Sequence, residues 1–130
     1  MKYLIVIFSL LCTQPLFSQQ VRTQALSDEI QTIQLYIAGN PNRKPVIELN
    51  SQEKIYIGFD RLGDNSFNRL RYKIIHCNRE WEISRGISEI DYLNGFNDNY
   101  IDDYATSVNT TVEYTHFDLD IPNRDIELKL

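Results

Sequence analysis

The stretch IYIGF, residues 55–59, decides the fold class. Its apolar residues Ile55, Ile57 and Phe59 alternate with Tyr56 and Gly58, so the apolar period is two positions. Side chains at alternate positions of a strand point to the same face of a sheet, whereas the face of a helix repeats every three to four residues. The stretch is therefore predicted to be a β-strand with one face in a core.

The same period recurs on both sides of this stretch. Upstream, residues 33–37 predict a strand that ends at the turn sequence GNPN of residues 39–42, and residues 46–49 predict a short second strand. Downstream, residues 70–77 are predicted to be the strongest strand, and strands resume over residues 112–121. Short strands separated by turn signals at this density predict an antiparallel all-β domain of the immunoglobulin-like β-sandwich type.

The core of this sandwich is predicted around the strand at residues 70–77. Tyr72 and Ile74 lie within it, and Trp81 follows four residues after its end. Sandwich domains bury a tryptophan in this relation to a central strand, so all three residues are expected to be core residues. Cys77 is expected to be buried and inert, because no neighbouring charge on its own face would stabilise a thiolate.

The N-terminus has the three parts of a secretory signal peptide. Lys2 supplies the positive charge, an apolar run extends to Leu11, and a cleavage point is predicted near Ser18 or Gln19. The apolar run is shorter than the roughly 20 residues that a membrane-spanning helix needs. Lipidation of Cys12 is the alternative, disfavoured by the bulky leucines that precede it. Residues 1–18 are therefore predicted to be removed on export.

The remaining chain divides into a polar N-terminal arm, residues 19–31, and a β-sandwich domain, residues 32–130. The final run, residues 125–130, alternates polar and apolar residues without a terminating turn, so we expect the N-terminal part of a longer protein. Acidic residues outnumber basic ones by 18 to 13, and no cluster of lysines and arginines occurs. This balance argues against binding to nucleic acid or to anionic lipid.

The search for catalytic motifs predicts no enzyme and no cofactor. The five glycines form no phosphate-binding loop, and no serine nucleophile elbow occurs. The two histidines, His76 and His116, lie on predicted strands, where a hydrogen-bonded, half-buried side chain is the expected role. No neighbouring nucleophile signature marks either histidine as a catalytic base.

Oxygen-rich loops offer a possible calcium site as an alternative to ordinary turns. Asp98, Asp102 and Asp103 lie close together in one loop, and Asp60 and Asp64 lie in another. Neither loop has the spacing of an EF-hand, and Asn and Asp favour turns because they hydrogen-bond to their own backbone. Solvated loops without a metal are therefore the favoured interpretation.

The long irregular stretch at residues 82–109 is unusually aromatic. Tyr92, Phe96, Tyr100 and Tyr104 recur every four positions, which would place them on one face of a short helix. They either pack the loop onto the sandwich or form a protein interface, because loops rich in Tyr and Asn make adaptable contacts. The candidate partner-binding residues are Tyr92, Phe96, Asn97, Asp98, Asn99 and Tyr100.

Six segments together resemble the N-terminal domain of the plug protein family of bacterial type IX secretion systems. They are IQLY (33–36), PVIELN (45–50), YKIIHCNREW (72–81), YLNGFNDN (92–99), IDDYATSVNT (101–110) and YTHFDLDIPN (114–123).

The resemblance implies a soluble periplasmic protein of a Gram-negative bacterium that closes the periplasmic mouth of the outer-membrane β-barrel translocon. It also implies a β-sandwich domain, a longer protein, and no catalytic residues. The alternative that the residues themselves leave open is a carbohydrate-binding or surface-attachment sandwich with exposed tyrosines.

Overall fold

A computed structural model describes residues 23–63, 69–123 and 125–129. The predicted signal peptide lies outside these described residues, and so does the tip of the turn after Gly63. The prediction of an antiparallel all-β fold is confirmed, because every strand pair is antiparallel. The two-layer, immunoglobulin-like arrangement is consistent with these sheets and stays a prediction.

The strands of the described chain form three sheets. A four-stranded sheet has the order β1-β2-β7-β6, and two small sheets pair β3 with β5 and β4 with β8. The elements, in chain order, are β1 (Ile30–Ile37), β2 (Ile55–Leu62), β3 (Arg71–Tyr72), α1 (Glu89–Tyr92), β4 (Leu93–Gly95), β5 (Asn99–Tyr100), β6 (Asp103–Thr106), β7 (Tyr114–Ile121) and β8 (Ile126–Leu128).

The four-stranded sheet confirms the period of two at its centre. Ile57 of β2 lies opposite Leu119 of β7, and Phe59 lies opposite Phe117, so apolar side chains share one face. The rings of Phe59 and Phe117 stack with their centroids 5.4 Å apart. Phe117 is buried, and this apolar face therefore forms the centre of the core.

The strand β1 lies at an edge of this sheet and begins at Ile30, two residues before the predicted domain start. Its register against β2 shifts between Gln31 and Gln34, and Thr32 between them has a φ of 54°. One extra residue in a strand makes such a β-bulge, which is common on edge strands. After the bulge, the side chains of β1 alternate between the two faces of the sheet as predicted, and Ile37 at the end of β1 is buried.

The small β4–β8 sheet contributes the other buried side chains near the chain end. Leu93 and Ile126 are both buried, and β8 confirms the alternation predicted after residue 125. Gly95 pairs with Ile126 and has a φ of 108°. A Cβ atom at this position would meet the carbonyl oxygen of Asp125 well inside van der Waals contact. Glycine is therefore required where the two backbones approach.

The prediction of a strand over residues 46–49 is wrong. The amide of Val46 donates to the carbonyl of Lys44 at 2.8 Å, and the amide of Ser51 donates to Glu48 at 3.1 Å. Both bonds close local turns, and Pro45, which lies between Lys44 and Val46, has no amide to offer to a neighbouring strand. Local turns therefore replace strand pairing in this segment.

The strand predicted over residues 70–77 is mostly absent. Only Arg71 and Tyr72 pair as β3, and Cys77 forms an isolated bridge with Ile83. Between them, Asn97 supplies the pairing with its side chain: its Oδ1 accepts from the Ile74 amide and its Nδ2 donates to the Ile74 carbonyl, both at 2.8 Å. A side-chain amide thus replaces one step of a β-ladder.

The prediction that Trp81 is a core residue is also wrong, because 65% of its surface is exposed. Tyr72 and Ile74 are half-buried, and the Tyr72 hydroxyl accepts a hydrogen bond of 2.9 Å from Asn123. Cys77 is a free thiol that is half-buried rather than buried. The buried apolar residues of the described chain, among them Phe117 and Leu93, lie outside the segment that carries Trp81, so this segment is peripheral to the core.

Candidate protein contact surface

A hydrogen-bonded hairpin over residues 76–84 holds Trp81 at its tip. The side chain of Asn78 accepts from the amides of Glu80 and Glu82, each at 2.9 Å, and its carbonyl accepts from the Trp81 amide at 3.0 Å. Trp81 has a φ of 62°, in the left-handed region that costs a non-glycine residue about 1–3 kcal/mol. The hairpin therefore presents a large exposed side chain from a strained, hydrogen-bonded backbone.

The two faces of this hairpin differ. On one face, His76 Nδ1 lies 2.8 Å from Ser84 Oγ, and the His76 ring lies 5.5 Å from the ring of Tyr92. On the other face, Ile75 and Ile83 are exposed and Cys77 is half-buried. Side chains alternate between the faces of paired strands, so these isoleucines lie on the face opposite to His76.

The β3–β5 sheet presents Tyr100 among charged groups. The guanidinium carbons of Arg69 and Arg71 lie 4.8 Å and 4.9 Å from the centroid of the Tyr100 ring. Asp102 pairs with Arg69 at 2.7 Å and Asp98 pairs with Arg71 at 2.9 Å, which fixes both cations. A cation over an exposed aromatic ring stabilises the arrangement by about 0.5–1 kcal/mol. Tyr100 is consequently in contact with two paired cations while its surface stays partly accessible.

Phe96 extends this arrangement towards the hairpin. Tyr72 pairs with Asn99, and the Asn97 side chain bonds to both backbone groups of Ile74, so Ile75 and Phe96 each follow next along the two segments that these bonds join. Phe96 is 70% exposed. An exposed face rich in aromatic residues and arginine has the composition of the centre of a protein interface. We call this face the aromatic surface, and it consists of Arg69, Arg71, Ile75, Phe96 and Tyr100.

The structure separates the six predicted partner-binding residues. Phe96 and Tyr100 are exposed, whereas Asn97 is only 6% exposed. Its assignment as a contact residue is wrong, because both ends of its amide are used by Ile74. Tyr92 also points inward and donates its hydroxyl to the Ile74 carbonyl at 3.3 Å.

Asp98 and Asn99 are half-buried and have structural partners. Asp98 lies against Arg71 and Lys73, and the Asn99 side chain donates to the carbonyl of Phe96. Asp98 therefore holds an arginine of the aromatic surface, and Asn99 bonds to the backbone that carries Phe96.

The aromatic residues spaced every four positions do not share a helix. The helix α1 ends at Tyr92, Tyr100 lies in β5, and Tyr104 lies in β6 with its ring 5.9 Å from that of Phe117. Sequence reasoning missed Arg69 and Arg71 as members of the surface. Their positions two residues apart at a strand start were visible, but their stacking depends on the pairing of β3 with a strand far along the chain.

The second face of the four-stranded sheet carries a polar network. His116 Nδ1 lies 2.6 Å from Asp60, and its Nε2 lies 3.3 Å from Asp118. The hydrogen bond to Asp60 is the main cause that raises the pKa of His116 above its usual value of 6.5. The Tyr56 hydroxyl donates to Asp118, which raises the pKa of that tyrosine, and its ring stacks on Tyr36 at 4.6 Å. The network joins β1, β2 and β7.

Three carboxylates of the two oxygen-rich loops, those of Asp60, Asp98 and Asp102, have ion-pair partners in the protein. Asp98 and Asp102 are paired with arginines, as described above. Within residues 23–63, 69–123 and 125–129, no group of three His, Cys, Asp or Glu side chains is arranged to hold a metal ion. In the same ranges, no helix has the length and apolar character that crossing a membrane requires.

Comparison with known families decides the relationship. The family model described as "Type 9 secretion system plug protein 1st domain" matches residues 30–130. The chain belongs to the type IX secretion system plug protein family. The matched range begins with the first residue of β1, so all three sheets of the plug domain lie within it.

A solved structure shares the fold of this chain. A hypothetical protein from Parabacteroides merdae is 40% identical to the plug domain, with a TM-score of 0.75 over 80% of this chain. The chain spans only 26% of the length of that protein. The comparison with functionally curated proteins gave no match. Family membership thus assigns the plug domain to the type IX secretion system.

Proposed function

We propose that this domain is a non-enzymatic plug component that binds the periplasmic mouth of the outer-membrane β-barrel translocon and closes it. The observation that carries the proposal is the aromatic surface, which holds Phe96 and Tyr100 exposed on an ordered backbone. The family relationship gives the secretion system in which such a contact would act.

Closure of a wide aqueous pore requires a body whose contact residues are positioned before binding. The arginines that flank Tyr100 and the aspartates that pair with them restrict its side chain before any partner arrives. Binding then costs less conformational entropy, because fewer side chains must be ordered at the interface. A plug must also be released, which favours an interface of ordinary size with a polar rim over a core-like one.

The alternative of a carbohydrate-binding module receives less support from the same residues. A sugar-binding platform needs aromatic rings whose faces are open for stacking. The guanidinium groups of Arg69 and Arg71 already lie over the Tyr100 ring at less than 5 Å. The charged groups around Tyr100 suit a protein partner better, since Arg and Tyr are enriched at the centres of interfaces.

The test is co-purification of the plug protein with a tagged translocon barrel. The variant Phe96→Ala/Tyr100→Ala should lower recovery by at least about tenfold, which corresponds to a loss of about 1.4 kcal/mol in binding. The matched control is Val108→Ala/Val112→Ala, which removes two exposed apolar side chains from the β6–β7 connection. Unchanged circular dichroism should accompany both variants. Recovery of the aromatic-surface variant at the wild-type level would refute the proposed contact.

We also propose that the exported form begins near Gln19, after removal of residues 1–18, and resides in the periplasm. The charged start, the apolar run and the polar break support this proposal. Mass spectrometry of the N-terminal peptide from a periplasmic fraction should identify this start. An intact Met1, or a lipid on Cys12, would contradict it.

A further inference from the structure

The strand β7 extends beyond the strand that pairs with one of its two sides. β6 pairs with β7 only up to Asp118, which lies opposite Asp103. In the same register Ile101 would lie opposite Asp120, but the Ile101 amide donates instead to the carbonyl of Leu70 at 2.9 Å. The end of β7 therefore has β2 on one side and, within the described chain, no strand on the other.

The unpaired side of β7 carries the backbone groups of Asp120. The amide of Ser107 donates to the Tyr114 carbonyl at 2.8 Å, so Tyr114 directs its backbone groups towards β6. Alternate residues of a strand direct their backbone groups to the same side, so Asp120, an even number of positions further on, directs its amide and carbonyl to that side as well. An unpaired strand edge is a template to which an extended polypeptide adds through backbone hydrogen bonds.

A cleft of about 500 Å³ lies at this end of β7. Five of the ten residues that line it are aspartates, and one, Lys54, is basic. Asp103, Asp118 and Asp120 are among the five. A concave site lined by one sign of charge concentrates ligands of the opposite sign, so this cleft attracts cationic groups.

Two carboxylates of the cleft lie directly opposite each other. Asp103 and Asp118 are register partners on neighbouring strands, so their side chains share one face of the sheet. Asp118 accepts from the Tyr56 hydroxyl and lies 3.3 Å from His116 Nε2. The exposed Asp103 carboxylate has no hydrogen bond or ion pair with any other residue that the structure describes. Like charges directly opposite each other destabilise a sheet, and a cation from a partner would remove that repulsion.

The arrangement of these carboxylates fits an extended basic segment better than a single metal ion. Among the described residues, no group of three His, Cys, Asp or Glu side chains is placed to hold a metal ion. Asp118 and Asp120 are two positions apart on β7, which is about 6.8 Å along a strand. Alternate side chains of an extended partner have the same spacing, so two successive basic side chains on one face can reach both carboxylates.

We propose that the end of β7 binds an extended, basic segment of a protein partner. The segment adds as a strand beside β7 and pairs with the backbone of Asp120. Its lysine or arginine side chains lie against Asp103, Asp118 and Asp120. The site borders the aromatic surface at Tyr100, which lines the cleft, but the proposal does not depend on contact with the translocon.

The test is fluorescence anisotropy of a labelled peptide in which lysine and threonine alternate, titrated with the purified plug protein and no barrel. Asp103→Asn/Asp120→Asn should weaken binding at least about fivefold, because it removes two of the carboxylates that face the segment. The matched control Glu80→Gln/Glu89→Gln removes two exposed carboxylates from the hairpin and α1, and should change the affinity by less than about twofold. Equal losses for the two double variants would show that net charge alone governs binding and would overturn the proposal.

A second peptide tests the strand pairing. The same sequence N-methylated at every residue keeps its charges but cannot donate backbone hydrogen bonds, so its affinity should fall at least about tenfold. Undiminished binding of the methylated peptide would overturn the proposal. A labelled neutral oligosaccharide is titrated in parallel, and binding of the sugar without binding of the basic peptide would overturn it in favour of a carbohydrate site.

Thermal unfolding without any ligand provides a further readout. Asp103→Asn should raise the midpoint by about 1–4 °C, because it removes the like charge opposite Asp118. A lower midpoint would show that the Asp103 carboxylate stabilises the fold by itself, which would contradict its role as a group that lacks its partner.

Discussion

The four-stranded sheet and the irregular region over residues 69–100 are ordered in different ways. The sheet is held by backbone ladders and an apolar face centred on Phe117. The irregular region has strands of two or three residues, and the side chains of Asn78 and Asn97 supply bonds that a ladder would otherwise make. Because asparagine amides hold its backbone, this region keeps large apolar side chains on its outside. Order without burial is what a contact surface requires.

The largest effect is expected in the sheet, where Phe117→Ala should lower the free energy of unfolding by about 3–5 kcal/mol. The ring of Phe117 is buried and contacts the rings of Phe59 and Tyr104, so its removal leaves a cavity that these neighbours cannot fill. Urea denaturation followed by circular dichroism measures the change. A loss below about 1 kcal/mol would mean that the core lies elsewhere.

The next largest effect should come from the side-chain ladder of the irregular region. Asn97→Ala leaves the amide of Ile74 without its partner and its carbonyl with only the 3.3 Å hydrogen bond from Tyr92, so the variant should cost about 1–3 kcal/mol. Asn94→Ala is the matched control, because the exposed Asn94 side chain should change stability by no more than about 0.5 kcal/mol. Equal denaturation midpoints for the two variants would show that the Asn97 side chain does not stabilise the fold.

A smaller, pH-dependent effect is expected on the polar face of the sheet. The pKa of His116 is raised by Asp60, so the charged form stabilises the fold fully below its unfolded pKa of 6.5. That stabilisation is lost as the pH rises through the raised pKa. The difference in unfolding free energy between the wild type and His116→Gln should therefore shrink from pH 6 to pH 9. A difference that grows over this interval would show that the neutral imidazole is the favoured form.

The smallest effect should come from Trp81→Ala, which we expect to change the stability of the 130-residue chain by less than about 1 kcal/mol. The ring is 65% exposed, and its left-handed backbone gains nothing from a large side chain. This variant is the direct comparison for Phe117→Ala, since one substitution removes an exposed aromatic ring and the other removes a buried one. A destabilisation equal to that of Phe117→Ala would show that Trp81 is a core residue after all.

Sequence reasoning succeeded where one face of a strand is buried against a sheet. The alternation at residues 33–37, 55–59 and 112–121 predicted strands β1, β2 and β7, because a period of two persists wherever burial selects one face. It failed at residues 70–77, where the partner of Ile74 is a side chain 23 residues away. Nothing local to either segment indicates that contact.

The predictions for the candidate site were likewise partly right and partly wrong. Phe96 and Tyr100 were identified because aromatic residues in an irregular loop are unusual whatever the fold. Trp81 was assigned to the core because it follows a predicted central strand as the buried tryptophan of a sandwich domain does, whereas the turn made by Asn78 leaves it exposed. The stacking of Arg69 and Arg71 on Tyr100 follows from strand pairing, which the sequence does not specify over this distance.

The central claim is that the aromatic surface contacts the translocon. The most direct measurement places a photocrosslinking amino acid at position 96, and in a parallel strain at position 108, and illuminates cells that carry the complete secretion system. Both positions are strongly exposed in the domain, so accessibility is matched. The account predicts a crosslinked product containing the barrel from position 96 and none from position 108. A barrel crosslink from position 108 with none from position 96 would contradict it.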